Sequence, residues 1–413
     1  LDSKKFGSPR SGWYGAAIDP NPFHEPNVTT LTDMGCHEHR RKILSPAYND
    51  FDVMESLRYS AENHLGKVLD DHIDRADQGV AEVDLAQIAE RFSIQAFSNM
   101  VFGQNLAESD VRVISRTVSR GQLGFMMMTM FPWIRICVGG LSALLKLDQY
   151  LAFGKTLAAV KKTATDRLAG STCASSATNL NATQIADNLN VQMIASCAVT
   201  APAIAHLCGR FLLQPETTQN YVKRELAGGF TSSLKRKDFQ WFSALRDESL
   251  RLCPPALHFR EKLTPPGGYP EYKVPGGTLI GICLGAAMRD LEVFGANPDE
   301  YDPSRWMTSR RLGDTQSESL ANMTNVLELN FGSGISKCLG QKVALLELAV
   351  FLSKLTEYEW EPTKDPGEFG VVVKRGVLRI ENMPVKVQRR SIGSSLSTNL
   401  IESRSTKGWS GKA

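Results

Sequence analysis

From His37 to about Leu207 apolar residues recur three and four positions apart, and that spacing commits the first half of the chain to helices. The runs Asp50–His72, Val83–Phe102 and Ile185–Leu213 carry the pattern most clearly, and Asn181-Ala-Thr-Gln supplies an N-cap and capping-box pattern ahead of the third. Residues 215–235 are polar and read as a short helix plus a loop. Phe239–Leu252 is helical again, until Pro254-Pro255 stops it. From Phe259 to Leu284 the character changes, with Gly-Gly and Pro-Gly turns separating short β-like runs such as Thr278–Cys283. A strong helix resumes over residues 341–356. Residues 368–388 read as hairpin strands, chiefly Val371–Val373 and Val377–Ile380. Residues 1–30, rich in Gly, Pro, Asn and Ser, read as loop, and the tail from Gln388 holds too few apolar residues to order itself. The expected architecture is one mainly α domain with a small β portion over residues 1–387, followed by a disordered tail over 388–413. No βαβ alternation supports a dinucleotide-binding sheet. Gly332-Ser-Gly334 is no phosphate loop either, because no Lys-Ser/Thr follows it.

Composition narrows the function classes. With 42% hydrophobic and 22% charged residues in a length of 413, the chain can bury a large core of the ordinary globular kind. A net charge of +3 gives no basis for a nucleic-acid partner, and Arg40-Arg41-Lys42 and Arg310-Arg311 read as solvated surface. The eight cysteines (Cys36, Cys137, Cys173, Cys197, Cys208, Cys253, Cys283 and Cys338) form no CxxC pair and no zinc-finger spacing with histidine. Their irregular spacing suits reduced thiols in a cytosol-facing protein rather than a disulfide framework. No signal-peptide pattern opens the sequence. The most apolar stretch, Leu123–Leu145, contains Pro132, Arg135 and Gly139-Gly140, which favours a buried helix pair or a surface dipping into a membrane interface over a spanning helix.

The most informative segment is Phe331-Gly-Ser-Gly-Ile-Ser-Lys-Cys338-Leu-Gly340. It places a cysteine at the end of a glycine-rich loop and at a helix start, where backbone N–H groups and the helix dipole favour thiolate over thiol. Gly334 and Gly340 leave room for a flat macrocycle to approach the backbone, and Phe331 is sized to shield a metal–sulfur bond from water. A buried structural cysteine is the bland alternative, and for an isolated cysteine it would prevail.

This segment resembles the FxxGxxxCxG signature of cytochromes P450, and further matches follow in order. Glu248-Ser-Leu-Arg251 resembles the family's ExxR helix, and Asn297-Pro-Asp-Glu-Tyr-Asp-Pro-Ser-Arg305-Trp306 resembles the loop whose arginine joins that pair in a buried structural network. His37-Glu-His-Arg-Arg41 resembles the helix on which two residues four apart hold haem propionates, although spacing alone favours a basic exposed helix end. Pro254-Pro-Ala-Leu-His-Phe-Arg260 matches a strand carrying another propionate-binding arginine. Gly276-Gly-Thr-Leu-Ile and Met288-Arg-Asp also match. The resemblance covers roughly residues 10–385, in the style of fungal members of secondary metabolism and xenobiotic turnover, and begins partway into the family fold. It implies the mainly α cytochrome P450 fold, haem b ligated by Cys338, and cofactor contacts from His37, Arg41, Arg260, Phe331, Gly334 and Gly340. It further implies a structural network of Glu248, Arg251 and Arg305. The implied partners are a small apolar substrate, an NADPH-cytochrome P450 reductase meeting basic residues such as Lys337 and Lys342, and the cytosolic face of the endoplasmic reticulum membrane. The expected substrate walls are residues near 194–202, Ala256–Phe259, the 123–133 region and the turn around Phe369.

Two departures bear on activity. Ser336 stands where the family places Arg or His against a propionate, implying a weaker hold on haem or compensation by Lys337. Where most members carry AGx(D/E)T(T/S), this chain reads Ala195-Ser-Cys197-Ala198-Val199-Thr200-Ala201-Pro202, so the usual acid is Ala198 and the usual alcohol Val199. Neither can pass a proton. Thr200, one position out of register, is the remaining catalytic candidate. Pro202 offers no N–H to the carbonyl of Ala198 and is expected to kink the helix there. Four readings stay open: an oxygen-inserting monooxygenase; a haem-thiolate enzyme that does not split dioxygen, such as an isomerase, dehydratase or peroxide user; a catalytically degraded relative; and a helical protein without haem.

Overall fold

The computed structural model describes residues 27–29, 31, 33–102, 105–120, 188–189, 192–193, 195–227, 229–232, 234–255, 262–307, 314–334, 337–364, 371–374, 377–380 and 382–390. Expectations for residues 1–26, the Asn181 capping box, Leu123–Leu145, Ala256–Phe259, Arg260, Arg310-Arg311, Ser336, Phe369 and the chain beyond 390 lie outside these described residues.

Helix α1 (Met34–Leu44) is capped by Asp33, whose Oδ1 accepts the N–H of Cys36 at 2.7 Å. Asp50 caps α2 (Phe51–Asp74) in the same way. The buried hydrophobic side chains of α2 are Met54, Leu57, Ala61, Leu65, Leu69 and Ile73, a stripe with spacings of three and four that faces the core. Strand β1 (Val80–Asp84) leads into α3 (Leu85–Phe102), and α4 (Glu108–Arg120) follows. A π-helical turn over Ser196–Thr200 opens α5 (Ala201–Leu212). Next come α6 (Glu216–Ala227), α7 (Gln240–Leu252), β2 (Lys262–Leu263), β3 (Leu279–Ile280), α8 (Leu284–Ala287), α9 (Leu291–Phe294) and α10 (Asp314–Leu327). Helix α11 (Gln341–Thr356) and strands β4 (Tyr358–Pro362), β5 (Val371–Lys374), β6 (Val377–Ile380) and β7 (Pro384–Arg389) complete the described chain.

The core forms where α2, α3, α5, α7 and α11 pack on one another. Helix α5 is buried along nearly its whole circumference, as a central helix must be. Phe92 of α3 meets Phe351 of α11 edge to face at 5.2 Å between centroids. A second, smaller cluster of Ile94, Phe97, Val111, Ile114, Met193 and Cys197 joins α3 and α4 to the π turn.

The main sheet has the order β1-β7-β4, all antiparallel, with Val83 opposite Val385 and Trp360 opposite Val387. Two corrections to the sequence reading come from this sheet. Val83 and Asp84 are strand rather than helix, because Val80–Asp84 pairs with Pro384–Gln388. The following helix starts only at Leu85, where Asp84 caps Ala86. Strand β7 also carries on through Gln388 and Arg389, residues expected in the tail, because they pair with β4 and Arg389 binds Asp70 and Asp74 of α2.

One buried network ties the C-terminal half to the helical core. The carboxylate of Glu248 accepts Nε and Nη2 of Arg251, both at 2.8 Å, and Nε of Arg305 at 2.9 Å. It also accepts Nε1 of Trp306 at 2.8 Å and the N–H of Asp302 at 2.9 Å. Arg251 completes its fork on the carbonyls of Met288, Pro298 and Glu300, and Arg305 on those of Phe294, Asn297 and Glu300. Both Glu248 and Arg251 side chains are fully buried, so each charge depends on the other. Glu248→Ala is therefore expected to destabilise the protein by about 3–5 kcal/mol. Lys42→Ala, which breaks an exposed pair with Glu38, is expected to change stability by less than about 0.5 kcal/mol. Urea unfolding of both variants checks the contrast, and equal losses would contradict it.

Candidate functional site

The cysteine segment begins with a 3-10 turn over Glu328–Phe331, which Asn330 fastens to α7 by donating Nδ2 to the carbonyl of Leu250 at 3.2 Å. Gly332 (φ 75°) and Gly334 (φ 60°) then turn the chain through left-handed backbone that only glycine adopts without cost. Gly334 is thus explained by its own conformation. At Gly340 (φ −84°) an added Cβ would meet Cys338 Sγ at 3.9 Å, an ordinary contact, so protein packing alone does not require glycine there. The N–H of Cys338 donates to the carbonyl of Phe331 at 2.7 Å, closing the loop. The side chain of Cys338 is exposed, in contrast to the buried Cys197, Cys208 and Cys253. Helix α11 starts at Gln341 with Gly340 as its N-cap, so Cys338 sits in the preceding turn rather than within the helix.

Two elements from the other end of the chain meet this loop. Arg41 of α1 donates Nη1 to the carbonyl of Lys337, and it is close enough to Cys338 for the two charges to interact. Partial burial draws its pKa down and the neighbouring thiolate acts in the opposite sense. His37, one turn earlier, is buried. Tyr48 lies in the 3-10 turn Ser45–Tyr48 after α1 and is buried beside Cys338. Burial, and then the Cys338 charge, pushes its phenol far above the usual range, so Tyr48 keeps its proton. That proton goes to Oε1 of Gln192 at 2.5 Å, whose Nε2 is buried with no acceptor among the described residues. Lys337 is no free cation: its Nζ binds Glu328 at 2.7 Å, and Gln341 binds the same carboxylate.

On the next helix the expected kink takes the form of a widened turn. Ser196–Thr200 is π-helical, so α5 restarts at Ala201 and Pro202 falls in its first turn, where a missing N–H is tolerated. Ser196 turns its hydroxyl back to the carbonyl of Met193 at 2.9 Å. Cys197 and Thr200 point into buried surroundings, while Ala198 and Val199 are half-buried. A cavity of about 510 Å³ opens beside Ala201, Pro202 and Ala205. Glu90, Arg91, Glu108, Arg112 and Arg379 line it, so it is charged.

The structure thus brings Phe331, Gly334, Cys338 and Gly340 together with Arg41, and gathers Glu248, Arg251 and Arg305 behind them. Tyr48, Gln192, Asn330 and Trp306 escaped the sequence reading. Only Trp306 carried a signal there, as the neighbour of Arg305. Among the described residues no group of three or more His, Cys, Asp or Glu could hold a metal ion. A metal at Cys338 would have to bring its other ligands with it, as a macrocycle does. Among the described residues no helix is long and apolar enough to cross a membrane.

Pro202→Ala would restore an N–H for the Ala198 carbonyl. The π turn is then expected to relax towards α-helix, with slower amide exchange over 196–202 and a gain of about 1 kcal/mol. Hydrogen-exchange mass spectrometry checks this, and an unchanged pattern would show that packing rather than Pro202 sets the widened turn.

Comparison with known proteins gives concordant matches. The Cytochrome P450 family profile matches residues 14–375. The cytochrome P450 monooxygenase mpaDE of Penicillium roqueforti (strain FM164) is 35% identical over 138 residues, which is 33% of this chain and 15% of that protein. A cytochrome P450 monooxygenase of Aspergillus flavus is 31% identical over 216 residues, 49% of this chain and 40% of that protein. The cytochrome P450 monooxygenase esdpH of Penicillium shearii is 22% identical over 411 residues, 90% of this chain and 79% of that protein. The stretches shared with the first two are well under two thirds of their lengths.

Proposed function

The chain belongs to the cytochrome P450 family, and from that premise we propose that it inserts one oxygen atom of dioxygen into a small apolar organic molecule, in fungal-type secondary metabolism or xenobiotic turnover. The single observation carrying this reading is the exposed sulfur of Cys338 on a loop closed by Phe331 and flanked by Arg41. The overall reaction takes RH, dioxygen, two electrons and two protons to ROH and water. The electrons come from NADPH through a reductase at the cytosolic face of the endoplasmic reticulum membrane, with exposed Lys342 on the docking side.

The described residues fit haem. Cys338 offers one sulfur and no competing cage of ligands. Gly340 leaves open space that the protein's own packing does not demand. Gln192 Nε2 is a buried donor lacking an acceptor among the described residues, which suits an oxygen-bearing ligand. Haem, when bound, supplies the iron that activates dioxygen. The chain supplies the rest: Cys338 ligates, Arg41, His37 and Arg260 hold the propionates, and Phe331 and the glycines admit and cover the ring. Glu248, Arg251 and Arg305 hold the loop in place. Thr200 is the hydroxyl in the π turn from which a proton can pass.

A second reading, a haem-thiolate isomerase, dehydratase or peroxide user, is favoured by Ala198 and Val199, which can neither donate nor accept a side-chain proton. The haem-loaded, reduced protein under carbon monoxide is expected to show the thiolate-shifted absorption band, and Cys338→Ala to lose it. NADPH consumption coupled to an oxygenated product then supports oxygen insertion, whereas turnover without NADPH selects the second reading. A well-folded, haem-bound protein whose band is indifferent to Cys338→Ala would overturn both.

A further inference from the structure

The cavity of about 510 Å³ beside Pro202 is walled by α3, α4, α5 and strand β6. None of the described residues around Cys338 lines it, so it is not part of the cysteine site. It exists because α5 turns small side chains towards it. Ala201 and Ala205 lie one turn apart on one helix face with Pro202 beside them, and no long side chain of α5 fills the gap. Val111 of α4 and Ile380 of β6 complete an apolar floor. A cavity of this size falls in the range that holds small organic ligands.

The polar walls carry an unbalanced charge. Arg91, Arg112 and Arg379 set three positive charges against the two negative charges of Glu90 and Glu108, which leaves one positive charge in excess. The ion pairs sort by depth. Arg91 and Glu108 are 46% and 48% exposed and mark the mouth, whereas Arg379 and Glu90 are only 12% and 16% exposed and lie deeper. The deep pair is loose, a single contact of 3.3 Å from Nη2 of Arg379 to Oε2 of Glu90. A guanidinium carries five N–H donors, so with one used Arg379 keeps four without an acceptor among the described residues. The guanidinium of Arg112, exposed at the rim, has neither an ion pair nor a hydrogen bond among the described residues. Unmet donors on a largely buried cation are costly, and the cavity is where an acceptor can reach them.

We propose that this cavity binds a small organic monocarboxylate, with the carboxylate held by Arg379 and Arg112 and the apolar body resting on Pro202, Ala205 and Ile380. The planar, two-oxygen group matches the guanidinium fork. Its one negative charge cancels the excess. A phosphate dianion overshoots that balance and meets Glu90 and Glu108 as like charges, and a neutral molecule leaves the excess standing. The bound acid lies against Ala201 and Pro202, the first residues after the π turn, so occupancy stiffens that junction. The site does not depend on the oxygen-inserting function above.

Isothermal titration of the full haem-loaded chain with hexanoate tests the site, run with and without phenylimidazole on the iron so that binding in the haem pocket is told apart. Hexanoate is expected to bind at least about tenfold more tightly than hexanol or inorganic phosphate, with or without phenylimidazole. Arg379→Gln should weaken it about tenfold or more, because charge-assisted bonds are lost at the deep end. Arg112→Gln should weaken it only about two- to fivefold, as an exposed charge does, and Arg112→Glu should abolish measurable binding. Lys42→Ala, which does not line the cavity, should leave it unchanged. Hydrogen exchange over residues 201–205 should slow when hexanoate binds. If Arg379→Gln strips Glu90 of its partner and does not fold, the exposed Arg112→Glu still decides. Failure of hexanoate to bind the wild type overturns the site. Binding that is indifferent to both arginine positions, or lost with phenylimidazole present, puts the acid elsewhere and overturns it as well. Phosphate binding as tightly as hexanoate overturns the monocarboxylate assignment.

Discussion

The carboxylate of Glu248 is the point on which the rest of the structure turns. It gathers N–H donors from Arg251, Arg305, Trp306 and Asp302, and so draws the irregular segment between β3 and α10 onto α7. A segment with so few regular hydrogen bonds would otherwise present its carbonyls to no partner, and Arg251 and Arg305 between them take up five of these. Asp247 extends the grip on the other side by binding Arg236 and Arg246, and Arg236 reaches the carbonyl of Trp306. The same helix then holds the cysteine loop through Asn330 and Leu250. A fully buried ion pair is a poor source of stability compared with apolar packing, but it specifies one arrangement, since any other leaves charges unmatched.

Long periodic segments were legible in the sequence. Residues 341–356 form a helix with those bounds, α7 starts one residue after the expected position, and Val377–Ile380 is a strand as read. What escaped was set by partners distant in sequence. Strand β1 is five residues long, and only its pairing with β7 separates it from the helix that follows. The disorder expected from Gln388 overlooked the same pairing, in which two polar residues gain a ladder and two carboxylates.

The candidate site divides along the same line. Glu248 and Arg251, three apart on a helix, announce themselves by spacing, and Cys338 by the glycines around it. Tyr48 and Gln192 form a contact across 144 positions that no local pattern encodes. The π turn itself follows from Pro202 by simple covalent logic, yet whether a helix answers a proline by bending or by widening depends on its neighbours.

The bond from Arg41 to the carbonyl of Lys337 spans 296 positions of the chain. Contacts that close so large a loop form late, because the ends must first lose the freedom of everything between them. The sulfur's immediate surroundings are therefore finished only after nearly the whole described chain has left the ribosome and an early helix has docked on a late loop. Until that docking is complete, Cys338 lacks the neighbouring guanidinium that its finished surroundings supply.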